Sequence, residues 1–322
     1  MFTVLWHSGP MIDAEAMSEI SGLIRAVARA QILPRFGRLA AGDVAEKAPG
    51  DLVTVADRAA EEALTARLTA LLPGSRVVGE EAVAADPSVL RALDGPEPVW
   101  IVDPIDGTEN FVNGSPRFST LVALAQAGQL LASWTYIPVF GTMATASAGD
   151  GAFVDGRRVR VRTPERESAA GRASVNGSGN HSGKSNGNRG GGSDGRPDLR
   201  HLDVVVSQPK WWTPQERTRV NALAGHQVAL SYLDTSGIEY IELASGRRSA
   251  MVLTWELPWD HAAGLLLHAE AGGVATTADG SPFRLAGGNR LPFVAAPDAQ
   301  YAAALHAALD VPVTPAGAYA AF

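Results

Sequence analysis

The 322-residue chain combines 46% hydrophobic with 19% charged residues and contains no cysteine. This composition is typical of a globular protein, and the length predicts one large layered domain or two halves sharing an interface. The lack of cysteine excludes disulfides, thiolate zinc sites, iron–sulfur clusters and cysteine nucleophiles. The formal net charge of -7 argues against a general nucleic-acid binder, because few basic side chains are left to neutralise phosphates.

Neither a membrane-spanning segment nor a secretory signal is expected. No stretch reaches the roughly 18 consecutive apolar residues that a membrane-spanning helix needs. The N-terminus has no basic start, and residues 7–10 (HSGP) interrupt its short apolar stretch. We therefore expect a cytoplasmic protein.

The first third of the chain is predicted to contain two helices followed by two strands. Apolar side chains recur at three- and four-residue spacing over residues 13–33 and 54–72, which predicts a helix in each. The polar stretch 47–51 between them is expected to form a loop. Short strands are expected at 76–78 and 99–102, and the second is apolar throughout, as in strands buried on both faces.

An antiparallel meander and an α/β half are predicted for the rest of the chain. Turn residues separate short apolar runs over residues 117–161, which is the pattern of a meander. Its predicted strands are 118–125, 130–137, 142–146 and 159–161. The predicted elements of the later half are strands at 201–207, 228–232 and 250–254, and helices after Pro214, at 238–244 and at 259–270.

A glycine-rich segment at 171–198 separates the two halves. It holds nine glycines in 28 positions and almost nothing apolar, so we predict a disordered surface insertion. Its run Gly177–Ser185 looks like a nucleotide-binding Walker loop, but the glycine spacing is one position off and no strand precedes it. We therefore divide the chain into an N-terminal α+β half (1–165), the insertion, and a C-terminal α/β half (199–322).

The segment 100–110, WIVDPIDGTEN, carries the strongest chemical signal. A buried apolar strand ends at Asp103, and Asp106 follows three residues later around a tight turn. Carboxylates this close repel each other unless a cation lies between them. With the backbone carbonyl of Ile105 they are hard oxygen ligands, which suit Mg²⁺ or Mn²⁺ rather than zinc.

A phosphate seat is predicted directly beside these oxygens. Gly107 and Thr108 lead into a short helix, whose first backbone N–H groups suit an anion. Metal ligands beside an anion seat are the components of metal-assisted phosphoryl transfer to water. The simpler interpretation is a strand-ending turn, because Asp-Pro and Asp-Gly are common turn sequences.

Three further acids lie at the ends of predicted elements. Glu80 follows a short strand, Asp260 opens an apolar helix, and Asp57 lies at the start of another. Asp57 and Asp260 each have a simpler interpretation as helix-start residues. Because several acids gather at element ends beside apolar strands, we favour a shared site over solvated surface charges.

Four segments together resemble the inositol monophosphatase family. They are DLVTVAD (51–57), GEE (79–81), WIVDPIDGTENF (100–111) and PWDHAAGLLLHAEAGG (258–273). They follow the family's order at about its spacing, and the resemblance spans most of the chain outside the insertion. It implies a layered αβαβα sandwich of the sugar-phosphatase type, Mg²⁺-dependent hydrolysis of phosphomonoesters, inhibition by Li⁺ and a homodimer. The superfamily includes fructose-1,6-bisphosphatase.

The resemblance also implies a set of metal ligands. Glu80, Asp103 and the Ile105 carbonyl would hold the first Mg²⁺. The second would be held by Asp103, Asp106 and Asp260. A third ion bound through Glu80 is left open, as is Mn²⁺ in place of Mg²⁺.

Catalytic roles follow from the same resemblance. A water near Glu80 would attack the phosphate, and its proton would be handled through Thr108 paired with Asp57. The backbone N–H groups of Gly107 and Thr108 would hold the phosphate. Asp106 and Asp260 would also line the phosphate and substrate site. Lys47 lies near the family's lysine before the DLVT segment.

The part that reads the alcohol departs from the family pattern. Inositol-specific members carry an acid seven residues before the aspartate of the Trp-Asp pair, and here that position is Leu253. The nearest acid is Glu256, beside Trp255, and the family's small-residue segment appears only loosely at 235–237. The hydrolytic residues match, whereas the substrate-reading residues do not.

We expect a Mg²⁺-dependent phosphomonoesterase acting on a small phosphorylated alcohol such as inositol 1-phosphate. Sibling specificities remain open: histidinol phosphate, 3′-phosphoadenosine 5′-phosphate or fructose 1,6-bisphosphate. A haloacid-dehalogenase-type phosphatase is less favoured, because Asp103 and Asp106 are three positions apart rather than two. A non-catalytic phosphate or metal sensor is the alternative from another class. No nucleic-acid polymer or membrane is expected as a partner.

Four aromatic positions receive structural interpretations. His261 and His268 lie on the predicted helix 259–270 and are expected in or near the core. Trp211 and Trp212 could form a substrate lip or a dimer contact, but packing is the favoured interpretation.

Overall fold

Two β-sheets alternate with layers of helices in residues 12–163 and 197–310, the parts of the chain that the computed structural model describes. The insertion predicted at 171–198 lies outside the described residues, except for its last two positions. Across the described ranges, no helix has the length and apolar character needed to cross a membrane.

The larger sheet contains the predicted meander. Its strands are β3 (Arg76–Gly79), β4 (Pro98–Asp106), β5 (Ser119–Gln126), β6 (Gln129–Ile137), β7 (Thr142–Ser147), β8 (Gly151–Val154) and β9 (Arg157–Val159), in that spatial order. β3 and β4 are parallel, and the other neighbours are antiparallel. The meander is confirmed, with β8 as a strand that the sequence did not predict.

The smaller sheet belongs to the later half of the chain. Its strands are β10 (Asp203–Val206), β11 (Ala229–Tyr232), β12 (Ala250–Leu253), β13 (Val274–Thr276) and β14 (Phe293–Ala296). Their spatial order is β11-β10-β12-β14-β13, with β10 parallel to both of its neighbours. β13 and β14 were not predicted, because the three-residue run of β13 gives little pattern and β14 lies between Pro292 and Pro297, which are typical of loops.

Helices cover both sheets. They are α1 (Ala14–Val27), α2 (Val55–Leu71), α3 (Glu80–Ala85), α4 (Thr108–Val112), α5 (Pro214–Ala222), α6 (Ser236–Ala244), α7 (Pro258–Glu270) and α8 (Ala299–Leu309). α1 continues as a π-helical turn over Ala28–Ile32, so the predicted helix at 13–33 consists of two helix types.

The burial pattern gives the order of the layers. α1 and α2 pack on one face of the larger sheet, and α6 and α7 pack on the other. The same α6 and α7 also cover one face of the smaller sheet, whose outer face carries α5 and α8. A helix buried on all sides must be apolar all round, as the LLL run of α7 is. The predicted αβαβα sandwich is confirmed.

The segment predicted as a loop at 47–51 is a hairpin instead. β1 (Val44–Ala48) pairs antiparallel with β2 (Asp51–Thr54), and Gly50 takes a positive φ of 78° in the turn. The loop prediction was wrong because Pro49 and Gly50 are typical of loops and the short strands on either side show no clear hydrophobic alternation. The hairpin places Lys47 on β1, whose partner strand β2 leads directly into α2.

Close packing between α6 and α7 yields a stability prediction. A Cβ added at Gly264 of α7 would overlap the ring of Tyr240 on α6, whereas one added at Gly22 of α1 would meet open space. Gly264→Ala should therefore lower the free energy of unfolding by about 1–3 kcal/mol. The matched change Gly22→Ala should raise the free energy of unfolding by about 0.5–1 kcal/mol, because alanine has a higher helix propensity than glycine at an exposed helix position.

Urea denaturation of both variants measures the two changes. Equal effects of the two substitutions would contradict the close approach of α6 and α7.

Candidate active site

Two predicted metal ligands lie side by side at one edge of the larger sheet. β3 and β4 are parallel, and Gly79 pairs with Val102. Glu80 directly follows Gly79 and Asp103 directly follows Val102, so the two acids lie side by side just beyond this residue pair. The carboxyl ends of parallel strands are where ligand sites form in α/β folds.

A β-bulge brings Asp103 and Asp106 to the same face. On β5, Leu121 and Ser119 are two residues apart and share a face, and they pair with Asp103 and Asp106 respectively. The three-residue step on β4 therefore contains one extra residue, which is the definition of a bulge. Without it, side chains three residues apart would point to opposite faces. β4 thus continues to Asp106 rather than ending at 102.

Asp106 joins the two halves of the chain. Its carboxylate accepts hydrogen bonds from Ser119 Oγ (2.8 Å), Ser236 N (3.1 Å) and Gly237 N (2.8 Å). Burial raises the pKa of Asp106 although these hydrogen bonds lower it. Ser119 carried no signal in the sequence, whereas positions 236 and 237 were noted as a loose match to the family's small-residue segment.

Asp103 carries a buried carboxylate oxygen that no hydrogen bond from the described residues compensates. Its Oδ1 is buried and has no hydrogen-bond partner among the described residues. Burial raises the pKa of Asp103 well above its usual range, and the charges of Glu80, Asp106 and Asp260 raise it further. A buried acceptor left in this state is costly unless a cation or donor is added.

Asp260 is not a helix cap. Leu257 is the residue that precedes α7, and no side chain caps that end. Asp260 Oδ2 instead accepts a hydrogen bond from Trp255 Nε1 at 2.6 Å, a contact that sequence reasoning missed. Burial raises the pKa of Asp260 well above its usual range, and the negative charge of Asp106 raises it further. The capping interpretation was therefore wrong.

Lys47 is the cationic partner of Glu80. Its Nζ donates to Glu80 Oε1 at 2.5 Å and to Glu81 Oε1 at 3.0 Å. Burial raises the pKa of Glu80 to about 7 even though Lys47 lowers it. Burial also opposes the charge of Lys47, but the attraction of Glu80 and the hydrogen bonds dominate and raise the pKa of Lys47.

These four acids form what we call the acid cluster: Glu80, Asp103, Asp106 and Asp260. Over residues 12–163 and 197–310, no three acidic or imidazole side chains are arranged as a preformed metal site. The acids do not converge on one point because two of them bind other side chains: Glu80 accepts a hydrogen bond from Lys47, and Asp260 accepts one from Trp255. The hard oxygen donors, the orphaned Asp103 Oδ1 and the mutual repulsion nevertheless fit a divalent cation.

Thr108 and Asp57 lie within hydrogen-bonding distance, as the resemblance implied. Thr108 Oγ1 is 3.2 Å from Asp57 Oδ1 and 3.0 Å from the Ile105 carbonyl oxygen. Asp57 Oδ2 accepts from the Thr54 amide (2.8 Å) and hydroxyl (2.5 Å), so Asp57 also closes a capping box for α2. Burial raises the pKa of Asp57 to about 6 despite these bonds.

Gly107 must be glycine at the start of α4. Its φ is 89°, in the left-handed region. A Cβ there would also press on the Thr235 methyl group and lie 3.3 Å from the Arg117 carbonyl oxygen. The turn therefore lets the segment around Thr235 approach the candidate phosphate seat.

The two histidines of α7 have structural roles, as predicted. Both are fully buried. His261 Nε2 lies 3.2 Å from the Trp255 carbonyl oxygen, and burial lowers the pKa of His261 to about 3. His268 Nε2 lies 2.9 Å from the Ala296 carbonyl oxygen, and burial lowers the pKa of His268 to about 4. Both rings are therefore neutral at physiological pH.

The two tryptophans differ from each other. Trp212 packs against the core beneath the smaller sheet, as predicted. Trp211 is 55% exposed, and a Cβ at Gly50 would lie 3.6 Å from its ring. The packing interpretation is therefore wrong for Trp211, whose ring lies near the β1–β2 turn. Lys210 beside it binds Glu109 at 2.7 Å.

Comparison with known proteins identifies the family. The model of the inositol monophosphatase family matches residues 13–310, which include the whole acid cluster. The chain belongs to the inositol monophosphatase family. Members are metal-dependent phosphatases that hydrolyse phosphomonoesters, so the prediction of a phosphoric monoester hydrolase is confirmed at this level.

Two curated relatives illustrate what the chain is similar to. An inositol-1-monophosphatase of Mesorhizobium japonicum is 32% identical over 259 residues, covering 79% of this chain and 82% of that protein. A protein of Pseudomonas aeruginosa named Nus factor SuhB is 32% identical over 247 residues, covering 76% and 79%.

Solved structures of inositol monophosphatase family proteins share the fold. The extragenic suppressor protein SuhB of Bartonella henselae superimposes with a TM-score of 0.70 at 23% identity, covering 93% of this chain and 100% of that one. An IMPase of Thermotoga maritima gives a TM-score of 0.68 at 22% identity, covering 92% and 97%. At 22–23% identity, the similarity to these structures shows that this chain has the same fold.

The raised pKa values predict how stability depends on pH and on cations. Without metal, burial raises the pKa of folded Glu80 to about 7 and that of Asp57 to about 6, whereas the ordinary pKa values of these side chains are 4.5 and 3.8. Between these values the folded state binds more protons than the unfolded chain, so this contribution to the free energy of unfolding falls as pH rises. Divalent cations bind the deprotonated acids and should offset the loss.

Urea denaturation at pH 5 and pH 7, with EDTA or with Mg²⁺, measures both effects. Asp103→Asn should reduce the pH-dependent loss and the gain from Mg²⁺. An identical gain from Mg²⁺ in this variant and the unchanged protein would contradict the role of the acid cluster.

Proposed function

We propose that the chain is a Mg²⁺-dependent phosphomonoesterase that hydrolyses a small phosphorylated alcohol, with inositol 1-phosphate as the representative substrate. The observation that carries the proposal is the convergence of the acid cluster with the Thr108–Asp57 pair beside one strand edge. Buried acids with an orphaned oxygen suit cations, and a hydroxyl paired with a carboxylate beside them suits proton transfer from water.

The metal ligands in this proposal are the carboxylates of the acid cluster and the Ile105 carbonyl oxygen. Two or three Mg²⁺ ions, or Mn²⁺ in their place, would neutralise the phosphate charge and acidify the attacking water. Lys47 would leave Glu80 when the cation arrives, because both compete for the same carboxylate oxygen. The cluster's own repulsion favours that exchange.

Proton handling in the proposal rests on Thr108 and Asp57. The Thr108 hydroxyl would accept a hydrogen bond from the attacking water and donate its own hydrogen to Asp57 Oδ1, 3.2 Å away. Asp57, with a pKa of about 6, is largely ionised at pH 7 and is close enough to neutrality to take up a proton. The amide groups of Gly107 and Thr108 would hold the phosphate, with Asp106 and Asp260 lining the same site.

Several finer points remain proposals on the family resemblance. We propose a homodimer and a cytoplasmic location. Histidinol phosphate, 3′-phosphoadenosine 5′-phosphate and fructose 1,6-bisphosphate remain the alternative substrates, because Leu253 replaces the acid of inositol-specific members.

A non-catalytic role on the same fold is the second candidate function. The observation that favours it is the relative named Nus factor SuhB, which matches at 32% identity. The filled acid positions argue for catalysis instead. Phosphate release by the purified protein with Mg²⁺ from a panel of phosphate esters separates the two, and no release from any ester would favour the non-catalytic role.

Asp103→Asn should separate activity from stability. We expect turnover to fall by about 100-fold or more, because the change removes a ligand shared by two metals. The metal-free variant should be at least as stable as the unchanged protein, because asparagine removes one of four repelling charges. Steady-state phosphate release and urea denaturation in EDTA measure the two quantities.

The matched control is Asp94→Asn, the same chemical change at an exposed position before β4. It should leave turnover and stability unchanged. Near-normal activity of Asp103→Asn would contradict the metal assignment.

A further inference from the structure

The acid expected to read the alcohol is absent from its usual position, and the nearest acid binds a neighbouring loop. Leu253 lies at the end of β12, fully buried in the core that also contains Phe293. Glu256 is already occupied, because it accepts hydrogen bonds from Asn289 N (2.7 Å) and Asn289 Nδ2 (2.8 Å) and from Gly288 N (3.3 Å). A carboxylate accepts about four hydrogen bonds, so Glu256 has about one such position left for an alcohol, and an acid on another element can offer more.

Asp234 places a carboxylate beside the acid cluster. It follows β11 and precedes Ser236, whose amide binds Asp106, by two residues. Its Oδ1 accepts from Asn110 Nδ2 at 2.8 Å, and Asn110 is two residues beyond Thr108. The charge of Asp234 contributes to the raised pKa of Asp106. The side chain is 33% exposed, so a ligand can reach it.

Arg117 pairs with Asp234 and is anchored from below. Its Nε donates to Asp234 Oδ2, and its Nη2 lies 3.6 Å from Glu239 Oε1. The Glu239 side chain is 1% exposed and is fixed in turn by Arg248 Nε at 3.0 Å. The Arg117 side chain remains 45% exposed, so a buried acid orients a guanidinium that is still open to a ligand.

The pair offers acceptors and donors together without net charge. A carboxylate accepts about four hydrogen bonds, and Asp234 uses one at each oxygen here. The half-exposed guanidinium of Arg117 supplies donors beside it, whereas both N–H groups of Asn110 Nδ2 are already used, by Asp234 Oδ1 and by the Arg117 carbonyl oxygen. A hydroxyl both donates and accepts, so a neutral polyol satisfies the pair. A cationic amine or a second phosphate would satisfy one member and compete with the other.

We propose that Asp234 and Arg117 are the specificity-determining residues for the alcohol and that they select a neutral polyhydroxylated alcohol, such as a cyclitol or sugar. This inference rests on the proposed function. A hydroxyl near the ester would donate to Asp234 and accept from Arg117. The chain would then read its alcohol from the β11–α6 connection and the α4–β5 connection, rather than from β12.

The test compares Asp234→Asn with Glu242→Gln on two esters. Glu242 is the control, because it is 30% exposed on α6 and paired with an arginine at 2.7 Å, away from the acid cluster. The esters are inositol 1-phosphate and p-nitrophenyl phosphate, whose alcohol carries no further hydroxyl. The kcat/KM of Asp234→Asn for inositol 1-phosphate should fall about tenfold more than that for p-nitrophenyl phosphate, mainly through KM. Glu242→Gln should change neither.

Each outcome decides the inference. Equal losses on both esters would overturn it, because the pair would then only hold the site together. A preference of the unchanged protein for histidinol phosphate or fructose 1,6-bisphosphate over inositol 1-phosphate would also overturn it. Failure to release phosphate from any ester contradicts the proposed function itself and removes the inference with it. If Asp234→Asn does not fold, Arg117→Gln gives the same comparison, with thermal unfolding as the check on folding.

Discussion

Negative charge confined in a small buried volume is the constraint on which this site depends. The strand pairing of β3 with β4 places Glu80 beside Asp103, and the bulge in β4 turns Asp106 to the same face. Asp260 arrives from a helix packed between the two sheets. Folding these acids together costs free energy, which appears as raised pKa values and as an Asp103 oxygen without a partner. A cation would relieve that cost, so we propose that the arrangement that destabilises the metal-free protein also gives it affinity for metal.

The layers of the fold explain why the site includes both halves of the chain. The larger sheet supplies the strand ends, and α6 and α7 lie between the sheets with their N-terminal ends near those strand ends. Ser236 and Gly237 at the start of α6 hold Asp106 through their amides, and Asp234 just before them holds Asn110. The connection that fixes a metal ligand therefore also carries the proposed alcohol-reading acid. In these proposals, the amides that bind a metal ligand and the acid that reads the alcohol lie within residues 234–237.

Sequence patterns predicted the elements whose own residues carry the information. The 3.6-residue stripe of α2, the apolar run of β4 and the glycines after α7 were sufficient for their elements. The β1–β2 hairpin was missed because Pro49 and Gly50 interrupt two short strands without clear alternation, and β14 was missed because Pro292 and Pro297 enclose it. Among site contacts, the acids were found by motif, and Thr108–Asp57 was supplied by the family resemblance. Lys47–Glu80 and Arg117–Asp234 join residues 33 and 117 positions apart, so no local pattern could predict these pairs.

The central claim is that the acid cluster exists to bind divalent cations and that Lys47 occupies Glu80 until they arrive. A crystal structure of the protein grown with Mn²⁺, with anomalous diffraction used to locate the metal, tests this most directly. We predict anomalous peaks next to the carboxylate oxygens of the acid cluster, with the Lys47 ammonium displaced from Glu80. Mn²⁺ bound elsewhere, or an acid cluster without metal and with Lys47 still on Glu80, would contradict it.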